Sequence, residues 1–200
     1  MEPLEIEVKF FLTDPVSIRE KIKKMGAKSK GRIFEKNIRF EDQKKSLLSK
    51  NALLRLRKDN RYRLTYKCEP REKDNHYKIY RELETEVGDF STMKKILEAL
   101  GYHKEQVYEK WRETFLIEET QICIDQMPFG DFMEIEGGKK EIRNLAKEIG
   151  LRWDQRILQN YLKIFDIIRK RENLPFSDVT FDNFKKNPVR FSDYVGLFIR

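Results

Sequence analysis

The sequence predicts an α+β fold in which strands with one charged face alternate with helices. One observation is a recurring unit: Glu-Ile-Glu at 5–7, Glu-Leu-Glu at 82–84 and Glu-Ile-Glu at 134–136, each followed by a helical run that ends at glycine, respectively Gly26, Gly101 and Gly150. Another is balance: apolar residues are 39% of the 200 and charged residues 38%, so many charges must lie on regular elements. The third is aromatic mass, with 14 Phe, 8 Tyr and 2 Trp, far more than a disordered chain carries. Differing numbers of strands separate the three copies, which excludes a short-period solenoid.

Taken in order, Glu5 to Leu12 alternates charged and apolar residues, the period of a half-buried strand. Asp14-Pro15 supplies a cap and a proline at the first helical position, and the helix runs to about Met25. Extended segments follow at 32–40, 53–58 and 61–68, with Asp59-Asn60 suited to a tight turn. A strand at 77–87 leads to a helix at 90–100, then strands at 106–117, 121–125 and 132–136, with a turn at Pro128–Gly130. Helices at 140–149 and 160–171 complete the regular part. The length suits one domain over residues 1–170 and an extension over 171–200, whose six aromatics suggest docking rather than a free linker.

The formal charge of +8 calls for an anionic partner. The first residues lack a leader pattern, and no window approaches the roughly 20 apolar residues of a membrane span, so a cytoplasmic protein is expected. Cys68 and Cys123 lie far apart and His76 and His103 are the only histidines, which argues against a disulfide framework, a zinc site or a serine-histidine relay. Any metal should be hard and oxygen-ligated.

Residues two apart on a strand share a face at a spacing of about 7 Å. Each Glu-x-Glu pair therefore points one way, while Leu4, Ile6, Val8, Leu83, Met133 and Ile135 point the other, toward covering helices. Arg55 and Arg57, then Arg63, Thr65 and Lys67, follow the same rule, as do Lys110 and Arg112 around Trp111 and Asp125 against Ile122 and Ile124. One such pair is an ordinary solvated strand face. Three acidic pairs in phase with as many basic ones are different: a sheet curled with these faces inward needs metal ions and an anionic ligand, because unpaired buried charges cost several kcal/mol each. Clustered carboxylates suit Mg²⁺ or Mn²⁺, and arginines grip phosphate oxygens in two-pronged fashion.

These residues resemble the CYTH superfamily of triphosphate tunnel metalloenzymes. Glu5-Ile6-Glu7-Val8-Lys9 is similar to its ExExK signature. The segments 35–40, 53–57, 64–67, 82–84, 110–113 and 132–137 follow in the family's order, and Asn160-Tyr161 resembles its C-terminal Ser-Tyr motif. The likeness covers about residues 4–165 and runs nearest to class IV adenylate cyclases. It implies an eight-stranded antiparallel β tunnel with a charged interior, flanked by helices and crossed by a triphosphate. Carried over residue by residue, it gives Glu5, Glu7, Asp125, Glu134 and Glu136 as metal ligands and Arg55, Arg57, Lys67, Lys110 and Arg112 as phosphate binders. Glu82 and Glu84 complete a second metal site or balance the cations, and Lys9 orients or deprotonates the nucleophile.

The sequence departs from the family at Tyr80, where a basic residue is usual and for which Lys78 is in phase to substitute. Arg39 stands where thiamine triphosphatase relatives carry a tyrosine, against that substrate. Tyr161, Trp111 and Trp153 read as packing residues, and Leu162, Phe165 and Ile168 form a stripe that could meet a sheet or a second copy in a homodimer. The expected substrate is ATP, another nucleoside triphosphate or tripolyphosphate, and the alternatives are an inorganic tripolyphosphatase or a non-catalytic polyphosphate binder. Because cations share faces with carboxylates, no specific nucleic acid is expected.

Overall fold

Asp14 does cap a helix: its side chain accepts from the Ser17 N–H at 3.0 Å and Pro15 opens the first turn. The computed structural model describes residues 4–70 and 74–199, and residues 1–3, 71–73 and 200 lie outside it. In chain order it contains β1 (Leu4–Leu12), α1 (Pro15–Lys24), β2 (Lys28–Glu41), α2 (Ser46–Ser49), β3 (Ala52–Lys58), β4 (Tyr62–Cys68), β5 (Lys78–Glu86), α3 (Phe90–Ala99), β6 (His103–Ile117), β7 (Thr120–Met127), β8 (Gly130–Glu136), α4 (Lys139–Ile149), α5 (Tyr161–Glu172) and α6 (Phe181–Lys186). The glycines foreseen after α1, α3 and α4 all adopt left-handed backbone, with φ of 85°, 87° and 84°, a conformation that costs a side chain-bearing residue most.

All eight strands pair antiparallel and close into a barrel in the order β1-β5-β4-β3-β2-β6-β7-β8. β2 and β6 are longer than their alternation suggests. A register shift at Gly31, with φ of 93°, breaks the period-two pattern by which the start of β2 could have been read.

The charged faces point inward and the apolar faces outward. Val8 and Phe10 of β1, Phe115 of β6, Ile122 and Ile124 of β7 and Met133 and Ile135 of β8 are buried beneath Ile22 of α1 and Ile142, Leu145 and Ile149 of α4. A second cluster sets Ile38, Phe40, Leu54 and Leu56 under Leu47 of α2 and Leu97 of α3. Among the described residues β5 has no such cover. Leu83 is 58% exposed and Leu4 55%, which corrects the expectation that helices cover every apolar strand face. Trp111 is likewise no core residue: at 38% exposed it stands on the outer wall against Phe34, with the Arg32 guanidinium 5.0 Å from its ring. Trp153 does pack, against Phe10 and Tyr77.

The barrel's stagger leaves two open strand edges at one mouth. β5 pairs with β1 no further than Glu7, and β7 meets β6 only from Trp111 onward. The segment after α4 fills both. The Ile157 N–H bonds the Lys9 carbonyl at 2.7 Å; Val179 donates to the Val107 carbonyl at 2.8 Å and accepts from the Glu109 N–H at 2.9 Å. Between these points Ile164, Phe165 and Ile168 of α5 are buried with Phe184, Phe191 and Phe198, so the helix stripe is consumed within the chain. Among the described residues no helix is long and apolar enough to cross a membrane.

Ile142 is fully buried, so Ile142→Ala should cost about 2–5 kcal/mol in urea unfolding, whereas Leu83→Ala should fall within about 0.5 kcal/mol of the parent. Equal losses at both positions would mean that β5 is covered after all.

Candidate functional site

The lumen is a cavity of about 1340 Å³ lined by charged side chains from nearly every strand. Its walls are unequal in charge. Neighbouring strands β8, β1 and β5 present Glu136, Glu134, Glu5, Glu7, Glu82 and Glu84 with Lys9 and Lys78 among them, and the facing strands β4, β3, β2 and β6 present Lys67, Arg63, Arg55, Arg57, Arg39, Lys110 and Arg112 with Glu35 among them. Strand period brings these side chains to the inner face, and the strand order sets the acidic strands beside one another.

Most of these charges satisfy one another. Lys67 binds Glu5 and lies 2.7 Å from Glu82, and Lys78 binds Glu7. Lys9, only 2% exposed, donates to Glu134, which also accepts from Arg112. Arg57 reaches Glu35 at 3.1 Å and Asn37 Oδ1 at 2.8 Å. Arg55 meets Thr65 at 3.1 Å and Glu84 at 3.5 Å, and Arg63 meets Glu84 at 3.2 Å. Asp125 is wholly buried and accepts four hydrogen bonds: from Arg112 Nε at 2.7 Å and Nη2 at 2.6 Å, from Lys110 at 2.8 Å and from the Tyr161 hydroxyl at 2.9 Å.

Two kinds of mismatch remain. On the basic wall, Arg39 Nε, Arg55 Nε, Arg63 Nε and Asn37 Nδ2, and with them the acceptor Glu35 Oε2, are buried without a hydrogen-bond partner. Donors outnumber the acceptor, so a rearrangement that brought in an anion would satisfy more of them. On the acidic wall, burial pushes the Glu136 carboxyl up to about 7, and Glu5 and Glu7 beside it push the same way. Burial also raises Glu5 above the usual carboxylate range; Lys67 opposes this and Glu82 adds to it. This corner holds more negative charge than its own lysines neutralise. Among the described residues no three carboxylate, histidine or cysteine side chains are drawn into a ready coordination set.

Lys9 and Glu134 behave as a pair. Burial lowers the Lys9 ammonium pKa, against the pull of Glu134 and Glu7. For Glu134, burial works upward but is outweighed by Lys9, Arg112, Lys110 and Lys78, which hold it well below the usual range. The pair is therefore a charged carboxylate beside a lysine that gives up its proton more readily than a solvated one.

Of the residues singled out from the sequence, Glu5, Glu7, Lys9, Arg55, Arg57, Lys67, Glu82, Glu84, Lys110, Arg112, Glu134 and Glu136 line this one lumen, whereas Asp125 is wholly buried behind Lys110, Arg112 and Tyr161. The sequence reading gave no role to Glu35 or Tyr108, although both are in phase with lumen residues of their own strands. Tyr161 does pack in the core, against Phe132 at 5.2 Å and 69°, and in addition its hydroxyl is on Asp125 and its ring lies 3.9 Å from Lys9 Nζ. Helical spacing shows which face of α5 is buried, not that one of its residues is buried in a polar chamber.

The CYTH domain family matches residues 3–157. The chain belongs to that family. A Methanocaldococcus jannaschii protein provisionally named an adenylate cyclase is 25% identical over 173 residues, spanning 80% of this chain and 98% of its own. A solved Pyrococcus horikoshii structure is 28% identical, with a TM-score of 0.67 and coverage of 80% and 98%. A Hippeastrum protein, proposed as an adenylyl cyclase and described as having a dominant triphosphatase activity, shares the fold at TM-score 0.57 and 18% identity, with coverage of 86% and 98%. CYTH relatives are matched almost whole, whereas up to a fifth of this chain has no counterpart in them; α5 and the tail lie beyond the family match.

Between the ordinary carboxylate value of 4.5 and about 7, folded Glu136 retains a proton that the unfolded chain has released. Its contribution to stability is therefore full at acid pH and is lost as pH rises through about 7. Carbon-13 NMR of the carboxyls should find one midpoint near 7, Glu136→Gln should remove it, and Mg²⁺ should move it down because a cation favours the ionised form. A midpoint in the usual range would mean that the acidic corner is solvated.

Proposed function

We propose that this CYTH protein is a divalent-metal-dependent enzyme that cleaves a phosphoanhydride bond of a triphosphate lying across the lumen. The observation that carries this reading is the pair of mismatches: buried guanidinium donors without acceptors on one wall, and surplus carboxylate charge on the other. A triphosphate answers the first and a hard cation the second.

Residues Glu5, Glu7 and Glu136, with Glu134 on the same face of β8, fit a site for Mg²⁺ or Mn²⁺: all are oxygen donors, and Glu5 and Glu136, raised first by burial and then by neighbouring carboxylates, would ionise more readily beside such an ion. When bound, the ion neutralises charge on the phosphoryl oxygens in the transition state. Arg55, Arg57, Lys67, Lys110 and Arg112 hold the phosphates, and Arg63 and Arg39, which line the same cavity, are proposed to join them. Glu82 and Glu84 balance Lys67, Arg55 and Arg63. Asp125 is assigned here to fixing Lys110 and Arg112 rather than to metal, since both cations and Tyr161 already occupy its oxygens.

Lys9 is assigned to the nucleophile. Pinned at Glu134 and sharing β1 with Glu5 and Glu7, its ammonium orients a hydroxyl brought against the phosphate; only after giving up its own proton, which burial makes easier, can it take the hydroxyl's. With water as nucleophile the reaction is triphosphate hydrolysis. With the ribose 3′-hydroxyl of ATP attacking the α-phosphate it yields cyclic AMP and pyrophosphate, a second reading favoured by the name of the Methanocaldococcus relative.

Incubation with ATP and, separately, with tripolyphosphate in Mg²⁺ or Mn²⁺ decides among these. Product should form only with metal, and Glu134→Gln should lower its rate by about 100-fold or more. Cyclic AMP with pyrophosphate identifies a cyclase and released phosphate a triphosphatase. Binding without any metal-dependent product would leave a polyphosphate-binding protein and overturn the enzyme reading.

A further inference from the structure

Lys9 meets the segment after α4 at two places, through its backbone at the last residue of the family match and through its ammonium group just beyond it. The Ile157 N–H bonds the Lys9 carbonyl, and four residues later the face of the Tyr161 ring lies 3.9 Å from Lys9 Nζ. A cation over an aromatic face is held by the ring quadrupole, more strongly when water is excluded. Here both partners are buried. The ring is itself clamped, with the Phe132 edge on one side and the hydroxyl tied to Asp125, and its face also lies 5.4 Å from Lys110 Nζ.

Without such a floor a lysine would be poorly directed, since four rotatable bonds separate the amine from its backbone. Glu134 fixes the ammonium from one direction only. The ring supplies a second direction, and two together define a position.

Tyr161 stands on the first turn of α5, and α5 is secured from both ends. The Asn160 side chain caps it, accepting from the Lys163 N–H at 2.8 Å. Further along, Phe165 stacks on Phe176 at 5.8 Å and 18°, and the chain then bonds to β6 at Val179, on the backbone either side of Tyr108. The Phe191 N–H bonds the Phe129 carbonyl at 2.8 Å in the β7–β8 turn, closing the brace. The segment that covers the open strand edges is thus also the segment that sets where the Tyr161 ring lies.

We propose that Tyr161 is a positioning residue for Lys9, holding its amine at the reacting phosphate by presenting a ring face beneath it. The role in turnover rests on the triphosphate-cleaving reading above. The geometry does not, and it can be read without activity.

The test uses the full chain with labelled lysine and the substitutions Tyr161→Phe and Tyr161→Leu. In the parent and in Tyr161→Phe, the Lys9 ε-methylene protons should resonate upfield of the other lysines through the ring current, and in Tyr161→Leu they should return to the common position. In turnover, Tyr161→Leu should lower kcat by about 100-fold with KM changed by less than about threefold, the signature of a displaced reacting group rather than lost binding. Tyr161→Phe keeps the ring but removes the hydroxyl from Asp125, so its kcat should fall between those of the parent and Tyr161→Leu. An ordinary Lys9 shift in the parent protein would overturn the proposal even if Tyr161→Leu failed to fold. So would a Tyr161→Leu enzyme with parental kcat, or a Tyr161→Phe enzyme as impaired as Tyr161→Leu. If the parent turns over no triphosphate, the proposed function fails, and the lysine shift still decides the geometry.

Discussion

Charge enclosed in a closed ring of strands is the constraint on which the rest of this molecule depends. Removing an ion from water costs several kcal/mol unless a partner of opposite sign meets it with good hydrogen-bond geometry. The lumen meets that demand by placing most acidic strands side by side and most basic strands opposite, with Lys9, Lys67 and Lys78 reaching into the acidic half. Closure also obliges the outer faces to be apolar, because a strand with both faces charged has nothing to pack against. The outer clusters under α1, α4, α2 and α3 follow from the same alternation that fills the lumen.

A closed barrel removes sheet edges along most of its circumference, but stagger leaves them at the mouths. Here the edges of β1 after Glu7 and of β6 before Trp111 open on one mouth, and one continuous stretch, from Ile157 through α5 to Val179, answers both. Backbone groups there needed partners whatever the protein does. The aromatics of the tail have a floor to meet there: Phe132, Phe129 and Phe11 at the barrel end pack against Phe191.

What the sequence made legible was local. Period-two alternation assigned Glu5, Glu7, Lys9, Arg55, Arg57, Glu134 and Glu136 to one face of their strands, and Asp14-Pro15 and three glycines marked helix ends. Periodicity identifies two faces without saying which one encloses a space; closure is a property of eight pairings together, and the family resemblance supplied it. Three features escaped for distinct reasons. The bulge at Gly31 shifts register, so β2 outruns its readable pattern. Leu83 and Trp111 have apolar neighbours in sequence but no helix above them. Tyr161 obeys the helical spacing of a core residue, and only the tertiary structure shows that the core it enters is the polar end of the lumen.

The lumen's internal pairs differ in how readily they can be exchanged, and this bears on the proposed reaction. Lys67 and Lys78 meet their glutamates as single ammonium groups on flexible stems, so each can turn to a phosphate oxygen and release a carboxylate toward a cation with little change in the local charge sum. The Asp125 set is of another kind. Arg112 grips that carboxylate with two nitrogens, Lys110 and Tyr161 complete it, and the aspartate is wholly buried; breaking the set would strand a charge where water cannot reach. A ligand arriving with its metal would therefore rearrange the acidic corner and leave the Asp125 corner standing. Substrate entry becomes an exchange of partners against a fixed wall, and the side chains whose places must not shift, Arg112, Lys110 and Lys9, are those that Asp125 and Tyr161 hold.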